Sequence, residues 1–169
     1  MSGMSKIVKT IASIAIPFTT IYGLYIIVHG HLTPGGGFQG GAVIASGFVM
    51  LIVAFGSSWV IGAADKKEKH EEFEHFEHRI SYLESTGALM FIALAFLGLF
   101  FGAVFFNNFL VGNEYLFGVI PSVGSTEGLM NTAGVLPLMN IAVGLKVVAG
   151  LFIIVLVMAY ATSKKGGVD

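Results

Sequence analysis

The chain has 169 residues, of which 55% are hydrophobic and 11% are Asp, Glu, Lys or Arg, and its formal net charge is −1. Soluble domains carry about 25% charged residues, so this composition excludes an ordinary soluble enzyme, and it also excludes a disordered segment. The near-neutral charge offers no basic surface for nucleic acid. Because the chain contains no cysteine, it has no disulfide, thiolate zinc site or cysteine-ligated cluster of its own.

Four stretches are long and apolar enough to cross a bilayer, which takes about 20 residues. They run over residues 7–28, 41–62, 83–106 and 132–161. The first stretch is too long for the apolar region of a signal peptide, so we expect a retained helix. The segments between the stretches leave no room for a soluble domain. The sequence therefore predicts an all-α membrane protein, a single integral-membrane domain with four transmembrane helices.

Lysine and arginine are distributed unevenly between the two sides of these spans. The segments 29–40 and 107–131 contain none, whereas eight lie before or at the start of the first span, between the second and third, or after the fourth: Lys6, Lys9, Lys66, Lys67, Lys69, Arg79, Lys164 and Lys165. The positive-inside rule then places both termini and the 63–82 segment in the cytoplasm. An even number of spans agrees, because it requires both termini on one side.

The 63–82 segment carries a helical pattern that leads into the third span. Phe73, Phe76, Ile80 and Leu83 recur at steps of three and four residues, which predicts an amphipathic cytoplasmic helix before that span. Its glutamate-rich polar face favours a protein partner over an anionic lipid surface. Metal binding by the interleaved histidines and glutamates would need such motifs from several helices. We therefore interpret this cluster as a solvated face and expect no metal: His70, Glu71, Glu74, His75 and His78.

Five glycines lie within residues 35–41, between the first two spans. Their spacing matches G-x-G-x-x-G, but no strand precedes the run and no acidic residue follows about twenty positions later, so we reject a dinucleotide-binding loop. Glycine permits positive φ and close approach of a second backbone. The run is predicted to be either a tight surface turn or a broken, partly re-entrant element that presents Phe38 and Gln39. Its free amides could face an anion or water.

Two histidines, His29 and His31, lie at the outer end of the first span. Histidine titrates near physiological pH and can relay protons. A spacing of two residues does not put both rings on one helical face, which disfavours a metal pair. The alternatives are therefore interfacial or capping histidines and a role in proton access.

Lys146 is the one basic residue placed well inside a span. A lysine at the centre of a membrane helix costs about 2.5–3.5 kcal/mol on insertion scales, so we expect it to face a cavity or an acidic partner. Within this chain Glu84 is the candidate acid, although it is expected to lie nearer the cytoplasmic surface, and a carboxylate of another subunit is the alternative. Asn140 lies on a nearby turn. Lys146 is predicted either to take part in ion or proton movement or to form an ion pair that holds subunits together.

The segment His29-Gly-His-Leu-Thr-Pro-Gly-Gly-Gly-Phe-Gln-Gly-Gly41 resembles the signature of the MnhB/MrpB family, subunits of Mrp-type multisubunit sodium/proton antiporters. The stretch from Asn140 to Lys146 resembles the last helix of that family. Four membrane helices with both ends inside are also similar, so the resemblance covers nearly the whole chain. Carried over residue by residue, the shared motif comprises Pro34, Gly35, Gly36, Gly37, Phe38, Gln39, Gly40 and Gly41, with Lys146 as the shared intramembrane charge.

The resemblance implies an accessory subunit that helps to form or brace a cation path and is not an enzyme alone. It implies other Mrp-type subunits as partners, Na⁺ and H⁺ as transported ions, and no cofactor in this chain. The same subunit type occurs in archaeal respiratory complexes, beside a membrane-bound hydrogenase or a sulfane reductase. The alternative is a purely structural subunit that joins such a redox module to the antiporter module. The candidate path residues are Lys146, Glu84, His29, His31 and Asn140.

Overall fold

The computed structural model describes residues 4–32, 34–62, 69–111 and 133–165, and within these ranges all regular structure is helical. The helices, numbered in chain order, are α1 (Lys6–Val28), α2 (Gly36–Phe55), α3 (Ser57–Ile61), α4 (Lys69–Gly102) and α5 (Leu136–Lys165). Four stretches of these helices are long and apolar enough to cross a membrane: Lys6–Val28, Gly36–Phe55, Glu71–Gly102 and Leu136–Thr162. The predicted all-α fold with four candidate membrane helices is confirmed.

The second span begins and ends earlier than its predicted limits of 41–62. Helix α2 begins at Gly36, so glycines assigned to a turn or re-entrant element form its first turns. It ends before Gly56, whose φ of 91° lies in the left-handed region, and the short helix α3 follows. Because Gly56 has no side chain, the chain can break the helix there without a clash.

Helix α2 packs between α1 and α5, and α5 packs between α2 and α4. The Lys9 ammonium lies 5.7 Å from the centre of the Phe55 ring, which brings the start of α1 beside the end of α2. The Phe73 and Tyr160 rings stack with centres 4.0 Å apart, which brings the first part of α4 beside the last part of α5. The start of α1, the start of α4 and the end of α5 therefore share one end of the bundle.

The main apolar core lies at this same end and consists of Ile52, Ile61, Phe73, Phe152 and Leu156. Phe76 and Ile80 pack against it, so the apolar positions predicted for an amphipathic helix have a partner within their own chain. Leu83, the last of that series, remains 44% exposed. Helix α4 runs without a break through this segment into the third span.

At the other end of the bundle the chain turns sharply after α4. Ala103 and Phe106 have positive φ, of 58° and 62°. A Cβ at Gly98 would lie 2.6 Å from the backbone nitrogen of Asn107, and the Asn107 side chain stands over Gly102 and donates to its carbonyl at 3.2 Å. These two glycines, spaced as G-x-x-x-G, therefore accommodate the chain's own reversal.

Candidate functional site

The glycine run is a packing surface between three helices. A Cβ at Gly40 would lie 2.5 Å from the carbonyl oxygen of Gly23 in α1. On the other side of α2, a Cβ at Gly41 would lie 2.9 Å from the carbonyl oxygen of Gly144 in α5, and one at Gly37 would overlap the carbonyl oxygen of Asn140. Side chains larger than hydrogen would push α2 away from both neighbours, so the run sets the spacing of α1, α2 and α5.

Asn140 occupies the point where these three helices meet. Its Oδ1 accepts a hydrogen bond from the Gly37 backbone N–H at 3.4 Å. A Cβ at Gly30, just after α1, would lie 2.6 Å from its Nδ2. The first amides of a helix have no partner within the helix, and the Asn140 amide satisfies one of them. One of the free amides that sequence analysis offered to an anion or water, that of Gly37, therefore faces a side chain of α5.

The remaining motif residues surround the start of α2. Gly35 precedes the helix in the left-handed conformation, with φ of 96°, and the Gln39 side chain packs over it. The Gln39 backbone N–H donates to the Gly35 carbonyl at 3.2 Å. Pro34 is exposed, and Phe38 is 60% exposed, so both face outwards from the chain. The Phe38 side chain is therefore accessible to a neighbouring molecule or to lipid.

The two histidines occupy different local settings. His29 follows the last residue of α1, and its backbone N–H donates to the Tyr25 carbonyl at 3.0 Å. Its ring stacks on Tyr25 with centres 4.2 Å apart, and its Nδ1 lies 3.2 Å from the same carbonyl oxygen. His31 lies in the following turn and is half-buried. The capping interpretation fits His29, and the proton-access role of both residues stays a prediction.

Lys146 and Glu84 form an ion pair across the contact between α5 and α4. The Lys146 Nζ lies 3.1 Å from the Glu84 Oε1, and their side chains are 49% and 35% exposed in this chain. Lys146 lies about 15 Å along α5 from Leu136 and about 24 Å from Thr162, at 1.5 Å per residue. The Lys146 charge therefore lies well inside the apolar length of α5. Glu84 is the acidic partner that the sequence led us to expect for it.

Two glycines that sequence analysis missed lie at this contact between α4 and α5, and Gly87 leaves no room there for a Cβ. A Cβ at Gly87 would lie 2.8 Å from both the Lys146 backbone nitrogen and the Ala142 carbonyl oxygen. Gly150 lies one turn beyond Lys146, and a Cβ there would be 3.5 Å from the Glu84 carboxylate. The signal was present in the sequence, since both lie three or four residues from a charged member of the pair.

The candidate path residues therefore fall into two groups on different sides of α5. Asn140 faces α1 and α2, together with the glycine run, whereas Lys146 faces α4 and Glu84. Six residues separate Asn140 from Lys146, which rotates their side chains by roughly 240° around the helix axis. The pair and the glycine junction are thus two separate features.

The histidine and glutamate cluster of α4 gives no sign of a metal site within the described ranges. No group of three His, Cys, Asp or Glu residues in these ranges could hold a metal ion. Glu71, Glu74, His75 and His78 are exposed on the helix surface.

The similarity to known proteins extends from α1 into α5. A family model described as a domain related to the MnhB subunit of Na⁺/H⁺ antiporter matches residues 7–153. Protein MJ1307 of Methanocaldococcus jannaschii, of uncharacterised function, is 35% identical over 155 residues, which are 89% of this chain and 52% of that protein.

Two staphylococcal relatives are named as antiporter subunits, mnhB2. The one from Staphylococcus haemolyticus is 28% identical over 99 residues, which are 59% of this chain and 62% of the relative. The one from Staphylococcus aureus strain Newman is 28% identical over 103 residues, which are 61% and 64%. The chain spans about half the length of MJ1307 and less than two thirds of the mnhB2 proteins. Since the family model matches most of its length, the chain belongs to the MnhB family.

Proposed function

We propose that this chain is an accessory membrane subunit of an Mrp-type multisubunit Na⁺/H⁺ antiporter module and helps to form or brace its cation path. Family membership, the names of the mnhB2 relatives and four candidate spans support this function. The partners would be other Mrp-type subunits, and Na⁺ and H⁺ would be transported ions. The chain would not catalyse a reaction alone.

The Glu84–Lys146 ion pair is the observation that carries a role in ion movement. Charged side chains within membrane helices are costly, and ion pathways and proton relays are among the functions that such residues mark. A Na⁺ ion that reaches Glu84 would compete with the Lys146 ammonium for the same carboxylate. Exchange of one monovalent cation for the other would leave the charge bound by the carboxylate unchanged, so Lys146 would set how readily the site accepts an ion.

The test is Na⁺-driven proton movement in everted membrane vesicles that contain the whole complex. Lys146→Gln should remove most of the Na⁺-dependent pH signal while the subunits still co-purify, because the carboxylate loses its tethered cation. Lys6→Gln is the matched control, since it removes the same charge from an exposed position at the start of α1. Normal transport by an intact Lys146→Gln complex would exclude the ion-movement role.

A second function, bracing without ion contact, is favoured by the observation that Lys146 already has a partner in its own chain. An ion pair between these two helices can hold α4 against α5. Under this function, Lys146→Gln should weaken co-purification of the other subunits, and transport should fall only in proportion to the assembled complex. Measuring both quantities in the same membranes separates the two functions.

The orientation we propose places both ends of this chain and the α3–α4 connection in the cytoplasm. The starts of α1 and α4 and the end of α5 lie at one end of the bundle and carry most of the basic residues. The positive-inside rule assigns that end to the cytoplasm.

The assembly could be a free antiporter or the membrane arm of a redox-driven archaeal respiratory complex. Extraction from native membranes in mild detergent distinguishes them by composition. Antiporter-like subunits alone would identify the free antiporter. Iron–sulfur or nickel–iron proteins in the same particle would identify a complex of the hydrogenase or sulfane reductase type.

A further inference from the structure

The Glu84–Lys146 ion pair faces outwards from the chain, and both residues belong to candidate membrane spans. Almost half of the Lys146 side chain and about a third of the Glu84 side chain are exposed. Lys146 lies about 15 Å along α5 from Leu136, and Glu84 lies about 7.5 Å along α4 from Arg79, the nearest basic residue of that helix. The pair therefore lies beyond the charged first part of α4, and the described part of this chain leaves its outer side uncovered.

The hydrogen bonding of the pair is incomplete within the described part of the chain. The Lys146 ammonium has three donors, and the structure gives it one hydrogen bond, to Glu84 Oε1. The carboxylate can accept several hydrogen bonds, and the Lys146 ammonium supplies the one that the structure gives it. Polar groups left without partners in hydrocarbon are strongly unfavourable, and acyl chains offer neither donors nor acceptors.

We infer that the face around Glu84 and Lys146 is the contact surface for a membrane helix of a neighbouring subunit, which places a neutral hydrogen-bonding side chain against the pair. We define this pair face by Glu84 and Lys146 with Ser81 and Ala88, which lie three residues before and four residues after Glu84 on α4. The inference rests on the proposed function, because it requires an assembly with other membrane subunits.

The charge balance of the pair indicates the chemistry of the partner. Glu84 and Lys146 neutralise each other, so a second carboxylate or ammonium would leave a net charge in a low-dielectric setting. A neutral amide or hydroxyl would accept from the Lys146 ammonium without that cost, and an amide would also donate to Glu84. The residues Ser81 and Ala88 are small enough to let another helix approach closely.

The test uses the absence of cysteine from the chain, which makes every introduced cysteine unique within it. Ser81→Cys would carry a thiol-reactive benzophenone in native membranes that contain the complex, and irradiation would attach it to its nearest neighbour. Ser13→Cys is the matched control, since it makes the same exchange at an exposed position of α1. The Ser81 adduct should shift by the mass of a second membrane subunit. Its cross-linked peptide should be apolar, with an Asn, Gln, Ser, Thr or Tyr at the contact.

Several outcomes would overturn the inference. Lipid adducts alone, from a complex whose subunits co-purify, would show that no helix covers the pair face. Rapid labelling of the Ser81→Cys thiol by a membrane-impermeant reagent would show that an aqueous cavity, and not a helix, lies against the pair face. Capture of the same peptide from both positions would show that the pair face has no partner helix of its own. If no subunit co-purifies with the unmodified chain, the proposed function itself fails, and this result is visible before any cross-linking.

Discussion

At the scale of single residues, the glycines of α2 are as important for helix packing as any charged residue is. Gly37 and Gly41 bring the backbone of α2 against the backbone of α5, and Gly40 brings it against α1. Asn140 then occupies the junction and caps the start of α2. In a membrane, where burial of apolar groups drives helix association little, such close contacts supply much of the attraction.

Replacing Gly37 by alanine should destabilise the protein. The new Cβ would overlap the carbonyl oxygen of Asn140, and overpacking of this kind costs about 1–3 kcal/mol. Gly150→Ala is the control, because a Cβ there meets Glu84 only at 3.5 Å. Both changes gain about 1 kcal/mol of helix propensity. The thermal midpoint in detergent should fall for Gly37→Ala and hold or rise for Gly150→Ala. Equal midpoints would show that α2 and α5 are not held by this contact.

Sequence reasoning found the two charged residues and the close backbone approach that the glycine run permits, but not which helices the run would contact. Glu84 was identified as the acid within reach of Lys146, because few carboxylates fall inside the spans. Its expected position nearer the cytoplasmic surface stays a prediction, although α4 begins fifteen residues earlier, at Lys69. Asn140 was grouped with the ion path. Nothing in its local sequence shows that it contacts Gly37, which lies 103 residues earlier in the chain.

At the scale of elements, helix α4 has two structural roles. Its first part packs Phe73 and Phe76 into the core at the basic end of the bundle, and its second part forms the third candidate span. The period of three and four residues in the sequence predicted the helix correctly. The partner could not be predicted from that period, because the same stripe suits lipid, another protein or the chain's own α5.

Phe73→Ala should loosen this end of the bundle. The Phe73 ring is 7% exposed and stacks on Tyr160, and removing a buried phenylalanine costs about 3–5 kcal/mol. Phe100→Ala deletes the same atoms from a side chain that is 82% exposed, so its effect should be small. The measurement is the thermal midpoint of the purified chain. A midpoint for Phe73→Ala equal to that of Phe100→Ala would mean that the first part of α4 does not pack on α5.

The positions at which the helices begin and end are harder to predict from sequence patterns than the helices themselves. Hydropathy located all four spans, because a membrane helix needs a long apolar stretch whatever its neighbours are. It placed the second span about five residues late, since glycine has low helix propensity in isolation. In the structure the glycines are helical because α1 and α5 approach them closely. That compensation comes from distant parts of the chain and has no local signature.

At the scale of the whole molecule, the order of packing gives the bundle two unlike ends. One end holds the apolar core and the starts of α1 and α4 with the end of α5. The opposite end holds the reversal after α4, where Asn108 Oδ1 accepts from the Val135 N–H at 2.6 Å and ties the reversal to the start of α5. The ion pair lies between them, at the contact of α4 and α5.

The orientation of the bundle can be tested with single cysteines in intact cells, since the chain contains no cysteine of its own. Val111→Cys, at an exposed position after α4, should react with a membrane-impermeant maleimide from outside. Ser5→Cys and Thr162→Cys, at the opposite end, should react only after the membrane is permeabilised. The physical reason is that the basic residues at the start of α1 and at the end of α5 are retained on the cytoplasmic side. The reverse pattern would show that neighbouring subunits hold the chain against its own charge bias, and the cytoplasmic assignment of both ends would be wrong.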